Sequence, residues 1–197
     1  MNHFTVVSCS VLLREISEIL RLDYPEAEPI FLESMLHMRP EKLRISINEI
    51  LAARPARPCL LVYGDCHAHI RETGLRLHCQ KTDGVNCGEL LLGQEVYRAC
   101  RRENAFLFLP EWTERWREVF EKELGFSDRS LSREFMQENM NKLVYLDTGL
   151  IPVPQTILDE ISEYFDMPME ILPVSIDQLR QTVRSAYKRL KEQGAHE

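Results

Sequence analysis

Three cysteines, each just past a stretch that reads as a β-strand, carry the chemistry this sequence could do. Cys9 follows Phe4–Ser8, Cys66 follows Cys59–Tyr63, and Cys87 lies in the turn after Leu75–Cys79. His37, in the last turn of a short helix, can join them. Three thiolates and an imidazole complete a tetrahedral zinc site, and three thiolates can also anchor an iron–sulfur cluster. The spacing is not that of a zinc finger. There is no CxxC pair, and Cys66-His67-Ala68-His69 has the form CxHxH. A shared ion therefore depends on the fold, which must bring the three sulfurs within about 4 Å of one another for zinc–sulfur bonds near ~2.3 Å.

The elements that must position these residues follow from the hydrophobic pattern. Phe4–Ser8 is a β-rich run suited to a strand buried on both faces. Ser10 can cap the helix after it, whose apolar stripe is Val11, Leu12, Ile16, Ile19 and Leu20, with Arg14, Glu15 and Glu18 toward water. Ile30–Met38 reads as a short helix ending near His37. Pro40 then starts another helix, with Leu43, Ile47, Ile50 and Leu51 inward, and Arg54–Pro58 breaks it. Strands follow at Cys59–Tyr63 and Leu75–Cys79, and a helix runs from Cys87 past Gly93 to Arg102. Ala105–Leu109 is a strand. The helix after it carries Trp112, Trp116, Val119 and Phe120 on one face, either as core or as a cofactor platform. Ser127–Asn141 is helical with Leu131 and Phe135 inward. Lys142–Leu146 and Glu170–Val174 are the last strands, and Ser175 with Gln178 forms a capping box for the terminal helix.

This alternation predicts one α/β domain over residues 1–197. It is a three-layer, mostly parallel sheet of about five strands with helices on both faces, Rossmann-like or flavodoxin-like in arrangement. Ligands in such sheets bind beyond the carboxyl ends of the strands, where strand order reverses. That rim receives Cys9, Cys66 and Cys87, and also Asp65, His67, His69, Glu111, Asp147 and Thr148. Asp65, Glu111 and Thr148 are the candidates for contacting a bound cofactor. Glu111 also suits a first-turn helix charge, and His37 a helix C-terminal cap. Cys9 and Cys87 stand at helix starts, where backbone N–H groups favour thiolate. Cys59, Cys79 and Cys100 read as small buried hydrophobes. His67 and His69 are expected toward solvent, and His3 and His196 are expected to be exposed near the ends.

The composition narrows the function. A net charge of −7 over 197 residues argues against a broad nucleic-acid surface. No apolar run reaches the ~20 residues needed to cross a bilayer, and the first residues lack a basic n-region. A cytoplasmic setting is expected, where six cysteines point to metal or redox chemistry rather than disulfides. No GxGxxG, GxxxxGK[ST] or GxSxG motif occurs, so nucleotide binding and a serine nucleophile elbow lack support. A metal-free enzyme with Cys9 as nucleophile and His37 as base is the alternative chemistry.

Leu36-His37-x-x-Pro40, then Tyr63-Gly64-Asp65-Cys66, then Asn86-Cys87 before an apolar run ending at Gly93, resembles a family known as a domain of unknown function. That family occurs in bacteria and methanogenic archaea, often encoded beside corrinoid-dependent methyltransferases. The resemblance spans nearly the whole chain, including Phe106–Pro110. The family pattern has YGxCG and HCY. Here His67 stands in place of the glycine, Asn86 in place of the histidine and Gly88 in place of the tyrosine. The resemblance implies one-carbon or corrinoid methyl-transfer metabolism. The expected cofactor is zinc at Cys9, His37, Cys66 and Cys87, with an iron–sulfur cluster or a corrinoid as alternatives. The expected roles are a zinc-dependent methyltransferase or an accessory protein that carries a corrinoid or tetrapyrrole. The expected partner is a small molecule or a corrinoid protein, with a homodimer compatible and neither nucleic acid nor membrane involved.

Overall fold

The structure is a computed structural model that describes residues 3–193; His196 lies outside the described residues. In chain order the elements are β1 (Phe4–Cys9), α1 (Leu13–Asp23), β2 (Ala27–Leu32), α2 (Pro40–Ala52), β3 (Cys59–Val62), α3 (Ile70–Thr73), β4 (Cys79–Lys81) and α4 (Cys87–Leu92). They continue with α5 (Gln94–Arg102), β5 (Ala105–Phe108), α6 (Pro110–Glu114), α7 (Arg129–Asn139), β6 (Lys142–Asp147), α8 (Gln155–Phe165), β7 (Met169–Pro173) and α9 (Asp177–Gln193). The class is α/β and every strand ladder is parallel, as the alternation predicts. The strands divide between two sheets of four and three rather than forming one of about five. The chain accordingly forms two compact units, Met1–Leu91 with Ile176–Glu197, and Leu92–Ser175. The boundary leaves no linker in the sequence. It falls beside Gly93, whose φ of 77° ends α4 and starts α5 where the pattern reads as one continuous helix.

The first unit has strand order β2-β1-β3-β4, the flavodoxin-like order as far as it extends. Every residue of β1 is buried, as expected of a strand covered on both faces. The predicted stripe of Val11, Leu12, Ile16, Ile19 and Leu20 is buried too, and α9 adds Leu179, Val183, Ala186 and Leu190. Phe4, Tyr24 and Tyr187 form a ring cluster that ties α9 to β1, with Phe4 and Tyr187 centroids 4.6 Å apart. Glu15, expected toward water, is buried.

Two strands differ from expectation. Ile30–Met38 is not one helix: β2 occupies Ala27–Leu32 and a 3-10 turn occupies Ser34–Met38. Pro29 disguises β2, but β2 is an edge strand, where a missing N–H leaves no ladder bond unmade. The expected strand Leu75–Cys79 is also displaced. Leu75 and Leu77 are exposed, His78 takes a positive φ of 59°, and pairing begins only at Cys79.

The second unit has order β5-β6-β7. Trp116, Val119 and Phe120 are buried, and Phe120 stacks on Phe108 at 5.5 Å and meets Phe165 at 5.1 Å. Trp116, Val119 and Phe120 are therefore core, whereas Trp112 is only half-buried. On α7, Leu131 and Phe135 are exposed, while Ser132 and Met136 are buried. The helix phase is set by Asp128, which accepts from the N–H groups of Ser130 and Leu131, and by Ser132 Oγ, which donates to Asp128 O at 2.6 Å. Among the described residues no helix is long and apolar enough to cross a membrane.

Candidate site: a three-cysteine cluster at the strand switch point

In the first unit the chain leaves β1 for β2 on one side and for β3 and β4 on the other. Strand order reverses between β1 and β3, and that crevice is where open parallel sheets take ligands. Cys9 is the last residue of β1. The β1–β3 register pairs Ser8 with Val62, so the next residue on each strand is Cys9 and Tyr63. Gly64 and Asp65 then carry the chain out of β3 to Cys66.

Cys87 arrives by a different route. Thr82 N–H donates to Leu61 O at 2.9 Å, holding the end of β4 against β3. The loop beyond it returns to the exit of β3, where Asp65 N–H donates to Val85 O at 2.9 Å. Only glycine permits this approach, because a Cβ on Gly64 would lie 2.3 Å from Asn86 Cα. Asn86 Oδ1 accepts from Glu89 N–H at 2.9 Å, and Glu89 reaches back to Val85 N–H at 3.0 Å. Asn86 thus caps α4 and places Cys87 at its first position.

Cys9 and Cys87 pair, and Cys66 lies near enough to act on both electrostatically. Cys87 is hydrogen-bonded to Cys9, and that bond first, burial second and the neighbouring Cys9 and Cys66 next hold the Cys87 thiol well above its ordinary range. A backbone hydrogen bond opposes this but ranks last, so the thiolate expected from its helix start is outweighed. Burial, then Cys9, push the Cys66 thiol up to about 11, against the pull of Lys81. Cys9 is 5% exposed, and its Sγ donates toward Ser34 O at 4.0 Å. His37 Nδ1 lies 2.6 Å from the same carbonyl. A carbonyl only accepts, so Nδ1 is the donor in this bond. The bond is a cap within the residue's own turn. It is also the orientation that a backbone carbonyl gives to a metal-ligating histidine. Among the described residues, no group of three or more His, Cys, Asp or Glu side chains is arranged to hold a metal ion.

The other expected residues fall as follows. Asp65 lies beside the cluster, where Arg71 first and Lys81 second hold its carboxyl below the ordinary range. Glu111 and Thr148 belong to the second unit. Glu111 opens α6 and accepts from Arg115 Nε at 2.6 Å; Thr148 follows β6, in the turn where Gly149 N–H donates to Asp147 at 2.9 Å. Cys59, Cys79 and Cys100 are buried, and Cys59 faces Cys79 across β3 and β4. His3 is exposed.

Sequence reasoning missed two neighbours of these cysteines. Tyr63 is 2% exposed, and among the described residues its hydroxyl has no hydrogen-bond partner. The Lys81 ammonium is nearly enclosed, donating to Thr82 O at 2.7 Å and Gly84 O at 3.3 Å and pairing with Asp65 at 3.3 Å. The Tyr63-Gly64-Asp65-Cys66 motif contains the only available signal for Tyr63.

His67 also departs from expectation. It is 6% exposed, and among the described residues neither ring nitrogen has a partner. The segment turns rather than running extended, so His67 goes inward and His69 outward to Glu72 at 3.0 Å. Burial first, then Arg44 and His69, lower the His67 pKa from 6.5. A lowered folded pKa means that the unfolded chain binds the proton more tightly. Stability from neutral His67 is therefore complete above the unfolded value and is lost as pH falls from there through the folded value. His67→Leu is expected to match or exceed the wild-type unfolding midpoint near pH 8. It should also flatten the acid-side loss by less than the ~1.4 kcal/mol per pH unit of one fully linked proton. Parallel acid-side slopes in urea titrations of the two proteins would refute this.

The chain has no match among curated proteins or among solved structures. Residues 31–183, which hold His37, Tyr63, Cys66 and Cys87 but not Cys9, match the model of a family described as "Protein of unknown function (DUF1638)", and the chain belongs to that family.

Proposed function

We propose that Cys9, Cys66 and Cys87 bind one metal ion at the switch point of the first unit, and that the ion is zinc. The observation that supports this reading is that Cys87, at the start of α4, is bonded to Cys9 at the end of β1, with Cys66 after β3 near enough to act on both. Cys66 and Cys87 are held above the ordinary thiol range; a divalent cation would supply the charge that favours their thiolates. Three thiolates leave one tetrahedral position, for which His37 Nε2 and an exogenous ligand compete. A ligand in that position would be activated by Lewis-acid polarisation, which suits a thiol or a methyl acceptor. The one-carbon setting, the corrinoid-protein partner and the cytoplasmic location rest on the resemblance and on the need to keep these thiols reduced.

Elemental analysis of protein purified without a metal-chelating tag tests this. The expected result is about one zinc per chain, lost in Cys66→Ser, as a site built on thiolate ligands requires. Substoichiometric zinc and iron, unchanged by Cys66→Ser, would overturn it. The absorbance spectrum of the same sample separates the alternatives: a broad brown charge-transfer band assigns an iron–sulfur cluster, and corrinoid bands assign a carrier. A second reading is metal-free chemistry with Cys9 as nucleophile, favoured by the lack, among the described residues, of a group arranged for a metal. Rapid alkylation of Cys9 at neutral pH, indifferent to chelators, would support it.

A further inference from the structure

Cys59 and Cys79 are register partners on neighbouring parallel strands, the first residues of β3 and β4. Backbone bonds fix that register on both sides of the pair. Cys59 N–H donates to His78 O at 2.8 Å, and Thr82 N–H donates to Leu61 O at 2.9 Å. Register partners of a parallel pair share a face, on strands about 4.8 Å apart. A disulfide spans roughly 4.4–6.8 Å between Cα atoms, so the backbone separation already admits a bridge. Both thiols are free, and the residues are 3% and 2% exposed. The metal reading uses neither.

The pair is asymmetric. The hydrogen bond from Cys59 lowers the Cys79 thiol, while burial opposes and Arg76 assists. The same bond, then burial, raises the Cys59 thiol. Cys79 also stands where the sheet opens most readily. β4 is a three-residue strand at the sheet edge. The run before it exposes Leu75 and Leu77 and holds His78 at a φ of 59°. Local opening costs least where so short a ladder adjoins exposed chain.

We propose that Cys59 and Cys79 form a redox dithiol, oxidised by a hydroperoxide to a cross-strand disulfide and reopened by a small thiol. Cys79 sulfur attacks one peroxide oxygen. An S–O bond forms, the O–O bond breaks, and the departing oxygen takes the thiol proton and leaves as water or an alcohol. Cys59 sulfur then attacks the Cys79 sulfenic acid. The S–S bond forms, the S–O bond breaks, and water leaves with the Cys59 proton. The sulfurs lose two electrons and the peroxide gains them. The bridge pins the start of β4 to β3, and with it the chain that leads on to Asn86 and Cys87.

Treatment of the reduced full chain with hydrogen peroxide tests this, followed by acid quenching, alkylation in denaturant and peptide mapping by mass spectrometry. The expected result is a Cys59–Cys79 linkage in most chains, removed by dithiothreitol, with the bridged protein unfolding at higher urea than the reduced one. In Cys59→Ala, Cys79 is expected to remain a sulfenic acid that dimedone traps, since no neighbouring thiol resolves it. Recovery of Cys59 and Cys79 as thiols after peroxide overturns the proposal, whichever other cysteines oxidise. A bridge from either residue to a different cysteine also overturns it. The wild-type map decides the matter even where a variant fails to fold. Because Cys9, Cys66 and Cys87 take no part, neither result bears on the metal reading.

Discussion

Gly64→Ala is expected to break the candidate site apart while leaving every cysteine in the chain. The added Cβ would lie 2.3 Å from Asn86 Cα, 2.4 Å from Asn86 N and 2.5 Å from the Val85 carbonyl carbon. All three are backbone atoms, so no rotamer change relieves the contact. Relief requires the loop at 85–86 to move off the exit of β3. That movement breaks the Asp65 N–H to Val85 O bond of 2.9 Å and displaces the Asn86 cap that places Cys87. The destabilisation should reach about 3 kcal/mol, the upper end for an overpacked site, with a lost hydrogen bond adding ~1 kcal/mol. In urea this shifts the midpoint of the unit by roughly 1–2 M, given the usual dependence on denaturant. Thiol labelling in native buffer should show Cys66 and Cys87 reacting faster than in wild type. An unchanged midpoint with unchanged labelling would show that the two backbones do not meet as described.

The apparent affinity for zinc should rise about 100-fold per pH unit between about pH 6 and pH 8, because at least two thiol protons leave on binding and each contributes tenfold. Cys66 is pushed up to about 11 and Cys87 well above its ordinary range, the first chiefly through burial and the second chiefly through its bond to Cys9. Raised values mean that both thiols are protonated across this window. The metal must displace both protons, and the slope stays constant instead of levelling off near neutrality. Competition against a chromophoric chelator of known pH dependence measures it. A slope of tenfold per pH unit or less would mean that Cys66 and Cys87 do not both give up protons as ligands. This separates a three-thiolate site from adventitious binding at a surface histidine, which levels off above its own pKa.

Much of the first unit was legible from the chain. The β-rich run at Phe4–Ser8 and the stripe of α1 have periods that survive in any tertiary setting, and both are buried as expected. The placement of Cys9, Cys66 and Cys87 after strands was legible too, because a parallel sheet puts every such residue on one rim. β2 was hidden by Pro29, which argues against a strand everywhere except an edge. Edge position belongs to the whole sheet. The phase of α7 was misjudged because Leu131 and Phe135 obey helical spacing as well as Ser132 and Met136 do. Apolarity favoured the first pair, while the cap at Asp128 and the Ser132 hydrogen bonds decided for the second.

The sequence by itself determined the α/β class, the parallel strands and which cysteines stand at strand ends, since these follow from local pattern and chain connectivity. Only the tertiary structure decided that the strands form two sheets, that the loop of Val85 and Asn86 folds back onto Gly64, and that Cys87 is hydrogen-bonded to Cys9. It also raises the Cys66 and Cys87 thiols above their ordinary range. The physical reason is that burial and the approach of charged or polar neighbours arise between segments far apart in the chain. The loop of Val85 and Asn86 can reach Cys66 only across a residue with no side chain, and what that reach does to each thiol depends on the groups it brings together.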